Sequence, residues 1–181
     1  MVKVSICVPA YKNPVGVERL LESIKVQSFT DYEVVVTDDS PDGSVEEVVR
    51  RAEVPGIVYV RNAVRKGATG NWNEAVRHAS GEYIKIMHHD DWFTDRDCLA
   101  RFVEMLEEHP EADVIYTDED KVTTDLSEHF QPHLKPDFNL DLLRSNNYIC
   151  HFLVVRRSVV QTVGGFRREF DGAQDYDFIF R

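Results

Sequence analysis

Cysteine is scarce in this chain: three residues in 181, Cys7, Cys98 and Cys150, stand far apart and form no CxxC pair. Such spacing excludes a disulfide framework and a thiolate zinc site, and it points to a reducing, cytoplasmic setting. Long apolar runs are also missing, and nothing approaches the roughly 20 residues that span a bilayer. The first strand-like run meets Pro9 and polar residues at once, so no signal-peptide core is expected, and peripheral association with the inner face of a membrane stays compatible with the sequence. Basic residues are outnumbered, 21 Lys and Arg against 32 Asp and Glu, for a formal net charge of -11. Affinity for nucleic acid rests on cations that neutralise phosphates, so no nucleic-acid partner is expected. A phosphate bound by so acidic a chain needs a cation beside it. There is no internal repeat, no low-complexity tract and no Gly-rich phosphate loop after the first apolar run.

What is present is an ordinary globular composition, 43% hydrophobic and 29% charged, sized for one core. Apolar runs at 4–8, 34–36, 58–60, 84–87, 114–117 and 152–155 read as strands. Between them, helical periodicity appears at 15–27, 45–52, 67–79, 95–109 and 158–163, with Pro110 ending the fourth of these helices and Gly81 following the third. A last helix begins near Gln174. Alternating strands and helices imply an α/β fold: a three-layer α/β/α sandwich with a mainly parallel central sheet and right-handed crossovers. Residues 118–136 are polar and turn-rich, too long for a simple connection, and read as a functional loop that carries His129 and His133. Pro132 between those two histidines argues against a helical metal pair.

Two strands end in paired acids. Residues 33–37 run into Asp38 and Asp39, and residues 84–87 run into His88, His89, Asp90, Asp91 and Trp92. In a parallel sheet the ligand crevice lies beyond the carboxyl ends of the strands, so both pairs are candidates for one site. Paired carboxylates would repel a diphosphate unless a hard divalent cation, Mg²⁺ or Mn²⁺, stood between them. Alternation along the strand sends the two imidazoles to opposite faces, so at most one reaches a common metal. For either histidine singly a structural role is favoured. Each acid pair also has a plain reading, Asp38 and Asp39 as turn formers before Pro41 and Gly43, Asp90 and Asp91 as a solvated lead-in to the next helix. Pro9 and Tyr11 close the first strand, where an aromatic ring beside a carboxylate suits a nucleobase.

Residues 4–13 (VSICVPAYKN), 27–29 (QSF) and 33–42 (EVVVTDDSPD) closely resemble the opening of family 2 inverting glycosyltransferases of GT-A fold. Gly81-Glu82-Tyr83-Ile84 leading to Asp90-Asp91 is similar to that family's approach to its metal-binding DxD motif. Val163-Gly164-Gly165-Phe166 followed by Gln174-Asp175-Tyr176-Asp177 is similar to its distal acceptor-side motif. The resemblance spans the chain in order. It implies a nucleotide-diphospho-sugar transferase of Rossmann-like architecture: one catalytic domain over 1–181, with a nucleotide-binding half at 1–92 and an acceptor-side half at 93–181 that stops short. The implied reaction moves a sugar, UDP-linked, to a saccharide or lipid-linked saccharide with inversion.

Carried over position by position, the resemblance puts Pro9, Tyr11, Asp38 and Asp39 around the base, Asp90 near the ribose or sugar, and the metal on Asp91 first, or on Asp90 in another register. His88 stands where the first acid of DxD is common, a departure that replaces an anionic ligand with a neutral one. Lys66 and its neighbour Arg65 lie in a loop that approaches the diphosphate, and both read equally as solvated cations. Asp175 matches the general base, with Gln174 where Glu is common. An acid in the first turn of a helix is also favoured by the dipole alone. His88, Trp92, His151 and Gln174 are candidate sugar or acceptor contacts, whereas Trp72 sits in a helical pattern where core packing is the default. Two rival readings are a sugar-nucleotide-forming nucleotidyltransferase and a truncated, non-catalytic nucleotide-binding module.

Overall fold

The computed structural model describes residues 2–181. Its first strand, β1 (Val4–Ala10), is buried along its whole length because helices cover both of its faces. Side chains alternate across the pleat, so Val4, Ile6, Val8 and Ala10 enter one core while Cys7 enters the opposite one. Helix α1 (Pro14–Lys25) starts where Asn13 Oδ1 accepts the Gly16 amide at 3.1 Å, with Pro14 at the first position, where no amide hydrogen is needed. Its stripe of Val17, Leu20, Leu21 and Ile24 is fully buried in the first core. Strand β2 (Tyr32–Asp38) then pairs parallel with β1, from Val4 opposite Tyr32 to Ala10 opposite Asp38.

Helix α2 (Ser44–Ala52), strand β3 (Ile57–Arg61), helix α3 (Gly67–His78) and strand β4 (Tyr83–Ile86) continue the alternation. The remainder is α4 (Cys98–Glu108), β5 (Val114–Tyr116), β6 (Glu119–Val122), β7 (His129–His133), α5 (Leu140–Ser145), β8 (Leu153–Arg156), α6 (Arg157–Val163) and α7 (Gln174–Phe180). The main sheet has the order β3-β2-β1-β4-β8-β5, in which β8 runs antiparallel to both neighbours. Helices α1, α2 and α4 contribute to the core on one face, and α3, α6 and α7 to the core on the other. This is the expected three-layer α/β/α sandwich with a mainly parallel sheet. No helix among the described residues is long and apolar enough to cross a membrane.

Three local differences from the sequence pattern have physical causes. Residues 118–136 are not a structureless loop: β6 and β7 pair as a separate antiparallel hairpin, so His129 and His133 lie on a strand. The hairpin is largely exposed, and without a buried face it has no apolar alternation to betray it. Helix α4 begins at Cys98, not near Asp95, because the Asp95 carboxylate accepts the Asp97 amide at 2.9 Å and spends three residues on a turn. Helix α5, too short for a periodic signature, is fixed by Asn139, whose side chain accepts the Leu142 amide at 2.9 Å.

Candidate active site

Parallel pairing brings the carboxyl ends of β1, β2 and β4 to one edge, which places Tyr11, Asp39 and the His88–Asp91 turn side by side. Strand β8 is antiparallel, so its beginning reaches that same edge. Lys85 lies opposite Val154 in the ladder, and His151 therefore arrives beside His88, their rings 4.6 Å apart and nearly perpendicular.

A pocket of about 200 Å³ opens between the ends of β1 and β2 and the start of α3, lined by Pro9, Tyr11, Asp39, Arg65, Trp72 and Asp90 among others. Asp39 is its anchor. Its carboxylate accepts Asn62 Nδ2 at 2.7 Å, the Gly67 amide at 2.9 Å and the Lys66 amide, shared between both oxygens at 3.0 and 3.1 Å. Two contacts on each oxygen hold the carboxylate in a fixed orientation at the pocket wall. The Arg65 guanidinium covers the Tyr11 ring at 4.3 Å, so the cation that faces this pocket is Arg65. Lys66 turns its ammonium to Glu74 at 2.8 Å and reaches the site only through its amide. Asp38 lies beneath the pocket, wholly buried, with its oxygens accepting the Tyr59 hydroxyl at 2.7 Å and the Ser40 amide at 2.8 Å. It shapes the floor without lining it.

The pocket's back wall contains residues that the sequence pattern did not mark as functional. Asn71 donates to Ala10 O at 3.0 Å and Thr37 O at 3.1 Å, tying α3 to the ends of β1 and β2, and accepts from Asn62 at 2.8 Å. An asparagine among the buried positions of a helix was the available signal. Trp72 both packs in the core, against Phe166 at 5.1 Å, and borders the pocket, 4.8 Å from the His88 ring.

His88, Asp91 and His151 bring their ligating atoms within 4.8 Å of one another. His89 stays outside this cluster although it lines the Asp39 pocket together with His88, because both stand beyond the end of β4, where strand alternation no longer applies; Asp90 also stays outside and lines that pocket and the neighbouring cleft. Burial lowers the pKa of His88, against the pull of Asp91, which favours the neutral imidazole that metals bind. Two imidazoles and one carboxylate fit a divalent ion of mixed nitrogen and oxygen preference, Mn²⁺ better than Mg²⁺. Behind them, Lys85 is 2% exposed, with its ammonium 3.8 Å from the centre of the Phe152 ring and burial lowering its pKa to about 8.

Asp175, in the first turn of α7, is half-buried and accepts Asn147 Nδ2 at 2.9 Å. It lines a narrow apolar crevice whose mouth includes His88, Cys150 and His151. Burial, reinforced by Asp175, pushes the Cys150 thiol up, so it stays neutral and offers no nucleophile. Gln174 turns away from that crevice and accepts the Gly172 amide at 2.7 Å. Trp92 lies in a larger cleft, of about 610 Å³, between the Asp90–Asp91 turn and the β6–β7 hairpin. Helix α3 links the two halves: Thr69 donates to Asp171 through its amide, at 3.3 Å, and its hydroxyl, while Asn73 exchanges hydrogen bonds with the Phe166 backbone at 2.7 and 2.9 Å.

This sheet order, with carboxylates gathered at the strand ends, defines the GT-A class of glycosyltransferases. The model of glycosyl transferase family 2 matches residues 5–164, and the chain belongs to that family. It is 38% identical to the uncharacterized protein y4gI of Sinorhizobium fredii over 98% of this chain and 20% of that protein. It is 34% identical to the O-antigen biosynthesis protein RfbC of Myxococcus xanthus over 89% of this chain and 13% of that protein. The chain thus spans a fifth or less of these two relatives. Among solved structures, TarS from S. aureus in complex with UDP superposes with a TM-score of 0.78 at 24% identity, over 97% of this chain and 53% of TarS. The mannosyltransferase PcManGT from Pyrobaculum calidifontis, in complex with GDP-Man and Mn²⁺, superposes with a TM-score of 0.73 at 26% identity, over 98% of this chain and 50% of that protein.

Proposed function

We propose that residues 1–181 form a catalytic domain that transfers a glycosyl unit from a UDP-linked donor to a hydroxyl of a saccharide or lipid-linked saccharide, with inversion at the anomeric carbon. The observation that carries this reading is the single edge at which an aromatic ring, the Asp39 carboxylate, Arg65 and the His88–Asp91–His151 cluster converge. Pro9, Tyr11 and Asp39 hold the base, with Asp38 and the Lys66 amide supporting Asp39's side of the pocket from below and beside it. Asp90 faces the ribose, and Arg65 the diphosphate.

Asp175 acts as general base: it takes the proton of the acceptor hydroxyl as that oxygen bonds to the anomeric carbon and the bond to the nucleoside diphosphate breaks. Hydrogen bonds from Asn147 and from the Cys150 thiol hold the carboxylate in place beside the crevice. His88, Asp91 and His151 would hold Mn²⁺ or Mg²⁺, which when bound offsets the charge that grows on the leaving diphosphate. A nucleotidyltransferase reading loses to family membership and to the lack of a cationic phosphate loop after β1. The three free cysteines support a cytoplasmic setting, where the domain works at the inner face of the membrane on a lipid-linked acceptor.

Calorimetry with UDP, GDP, CDP and dTDP, with and without Mn²⁺, tests the donor site. UDP is expected to bind more tightly with the metal, and a protein that binds no nucleotide under either condition would sink the reading. Asp175→Asn should abolish transfer while nucleotide affinity stays within about twofold, a difference of roughly 0.4 kcal/mol. Transfer that survives the substitution removes Asp175 from the base role.

A further inference from the structure

The cleft between the Asp90–Asp91 turn and the β6–β7 hairpin has its own chemistry. Its volume, about 610 Å³, is in the range of small-molecule sites and is three times that of the base pocket. Four aromatic side chains border it: Trp92 from the turn and Phe130 from β7 face it from opposite walls, and Phe93 and Phe152 lie between them. Asp118 and Asp120 of the hairpin border it as well, with Asp90 of the turn, while the neighbouring Asp91 belongs to the cluster given above to the metal.

Carboxylates outnumber the cations at the cleft surface, although Asp120 is paired with His129 at 2.8 Å and Arg19 stands at the Trp92 wall. Lys121, the one lysine or arginine of the lining, donates its ammonium to Gln131 at 2.8 Å. The buried Lys135 side chain is bound to Glu119 at 2.7 Å and to the Ile149 carbonyl at 3.0 Å. Asp118 accepts only the Lys135 amide, at 2.7 Å, and faces no side-chain cation within ion-pair distance. The hairpin wall is moored. Arg19 of α1 donates to Thr124 O at the hairpin tip, at 3.2 Å, and lies over the Trp92 ring at 5.3 Å, which fixes both aromatic walls of the cleft relative to α1.

We propose that this hairpin-walled cleft is the acceptor subsite and that it takes a neutral or amino-bearing oligosaccharide, discriminating against saccharides that carry carboxylate or phosphate groups. The inference rests on the glycosyltransferase reading above and narrows its acceptor. Ring C–H faces pack on Trp92 and Phe130, sugar hydroxyls donate to carboxylates that can only accept, and an ammonium on the sugar gains further from them. An anionic sugar meets like charge from several directions in a partly desolvated space. The shared lining residues His151 and Phe152 join this cleft to the crevice of Asp175, so a hydroxyl at the end of the bound saccharide is delivered toward the base.

Three trisaccharides of matched size test the assignment by calorimetry on the intact protein: tri-N-acetylglucosamine (neutral), triglucosamine (cationic) and trigalacturonate (anionic). The first two are expected to bind, and the uronate to bind at least about tenfold more weakly. Trp92→Ala and Phe130→Ala should each weaken the neutral ligand by about tenfold. The double variant Asp118→Asn with Asp120→Asn, which retains side-chain acceptors on an exposed hairpin, should narrow the discrimination against uronate. Equal or tighter uronate binding, indifference to both aromatic substitutions, or failure of all three ligands overturns the proposal. A parallel titration with UDP and Mn²⁺ separates the two levels: nucleotide binding without saccharide binding removes this inference alone, and loss of both removes the parent reading.

Discussion

Lys85 offers a quantitative test of how this site is built, because its ammonium is sequestered in the core behind Asp91, against the face of Phe152. Burial is the largest influence and lowers its pKa from 10.5 to about 8, while Asp91, Cys150 and Glu119 act to raise it and Lys135 to lower it. Below about pH 8 both folded and unfolded chains carry the charge, and the fold bears the full desolvation cost. Between about pH 8 and 10.5 the folded chain releases its proton first, so stability rises with pH, and above 10.5 the cost is gone. That displacement is equivalent to about 3 kcal/mol, and the ring face can return about 2 kcal/mol of it. Lys85→Met, which keeps the length and packs a thioether on Phe152, should therefore stabilise the protein at pH 7 by about 1 to 3 kcal/mol, a rise in Tm of roughly 3 to 10 °C. Thermal melts of both proteins from pH 7 to 10.5 decide the matter, with the gap expected to close as the wild type catches up. A variant that melts lower at pH 7, or a gap that ignores pH, would refute the view that the ammonium is a net cost to the fold.

Two further substitutions probe the frame of the site. Asn71→Ala removes the donor to the carbonyls of Ala10 and Thr37 and should cost about 2 to 4 kcal/mol in urea unfolding, whereas a loss below about 1 kcal/mol would mean that those carbonyls find other partners. Gly81→Ala puts a methyl 2.7 Å from Ser5 N and Ser5 Oγ on the central strand, which should lower stability by about 1 to 3 kcal/mol; an unchanged Tm would refute the close approach.

The strand ends were legible because the parallel strands β1, β2 and β4 are buried on both faces and therefore read as mainly apolar runs, broken only by single polar residues such as Ser5 and Lys85, that stop where the acids begin. Asp39, Tyr11 and Pro9 could be gathered from that pattern alone, since parallel neighbours end at one edge. His151 could not: its place beside His88 depends on β8 running backwards, and strand direction leaves no mark in a four-residue segment. Arg65 and Lys66 were indistinguishable as adjacent cations, and only the partner Glu74, two turns into α3, draws Lys66 away and leaves Arg65 over Tyr11. Asp38 shows the limit of reading paired acids as a pair, because successive residues leave a strand on opposite sides and Tyr59 claims the one that points inward. The hairpin escaped notice for the opposite reason, being a strand pair with no core to face.

Helix α3 has a consequence for how such an enzyme can be altered. Its beginning is clasped by Asp39 on the donor side and by Asp171 on the side of α7, and one turn later Asn73 grips Phe166. A single helix thus sets the position of both ends of the site. Substitutions on this helix that reshape the Asp39 pocket should therefore also shift the segment that carries Asp175, so the two ends of the site should be altered together, and changes in β1 or β2 offer a way to alter one alone.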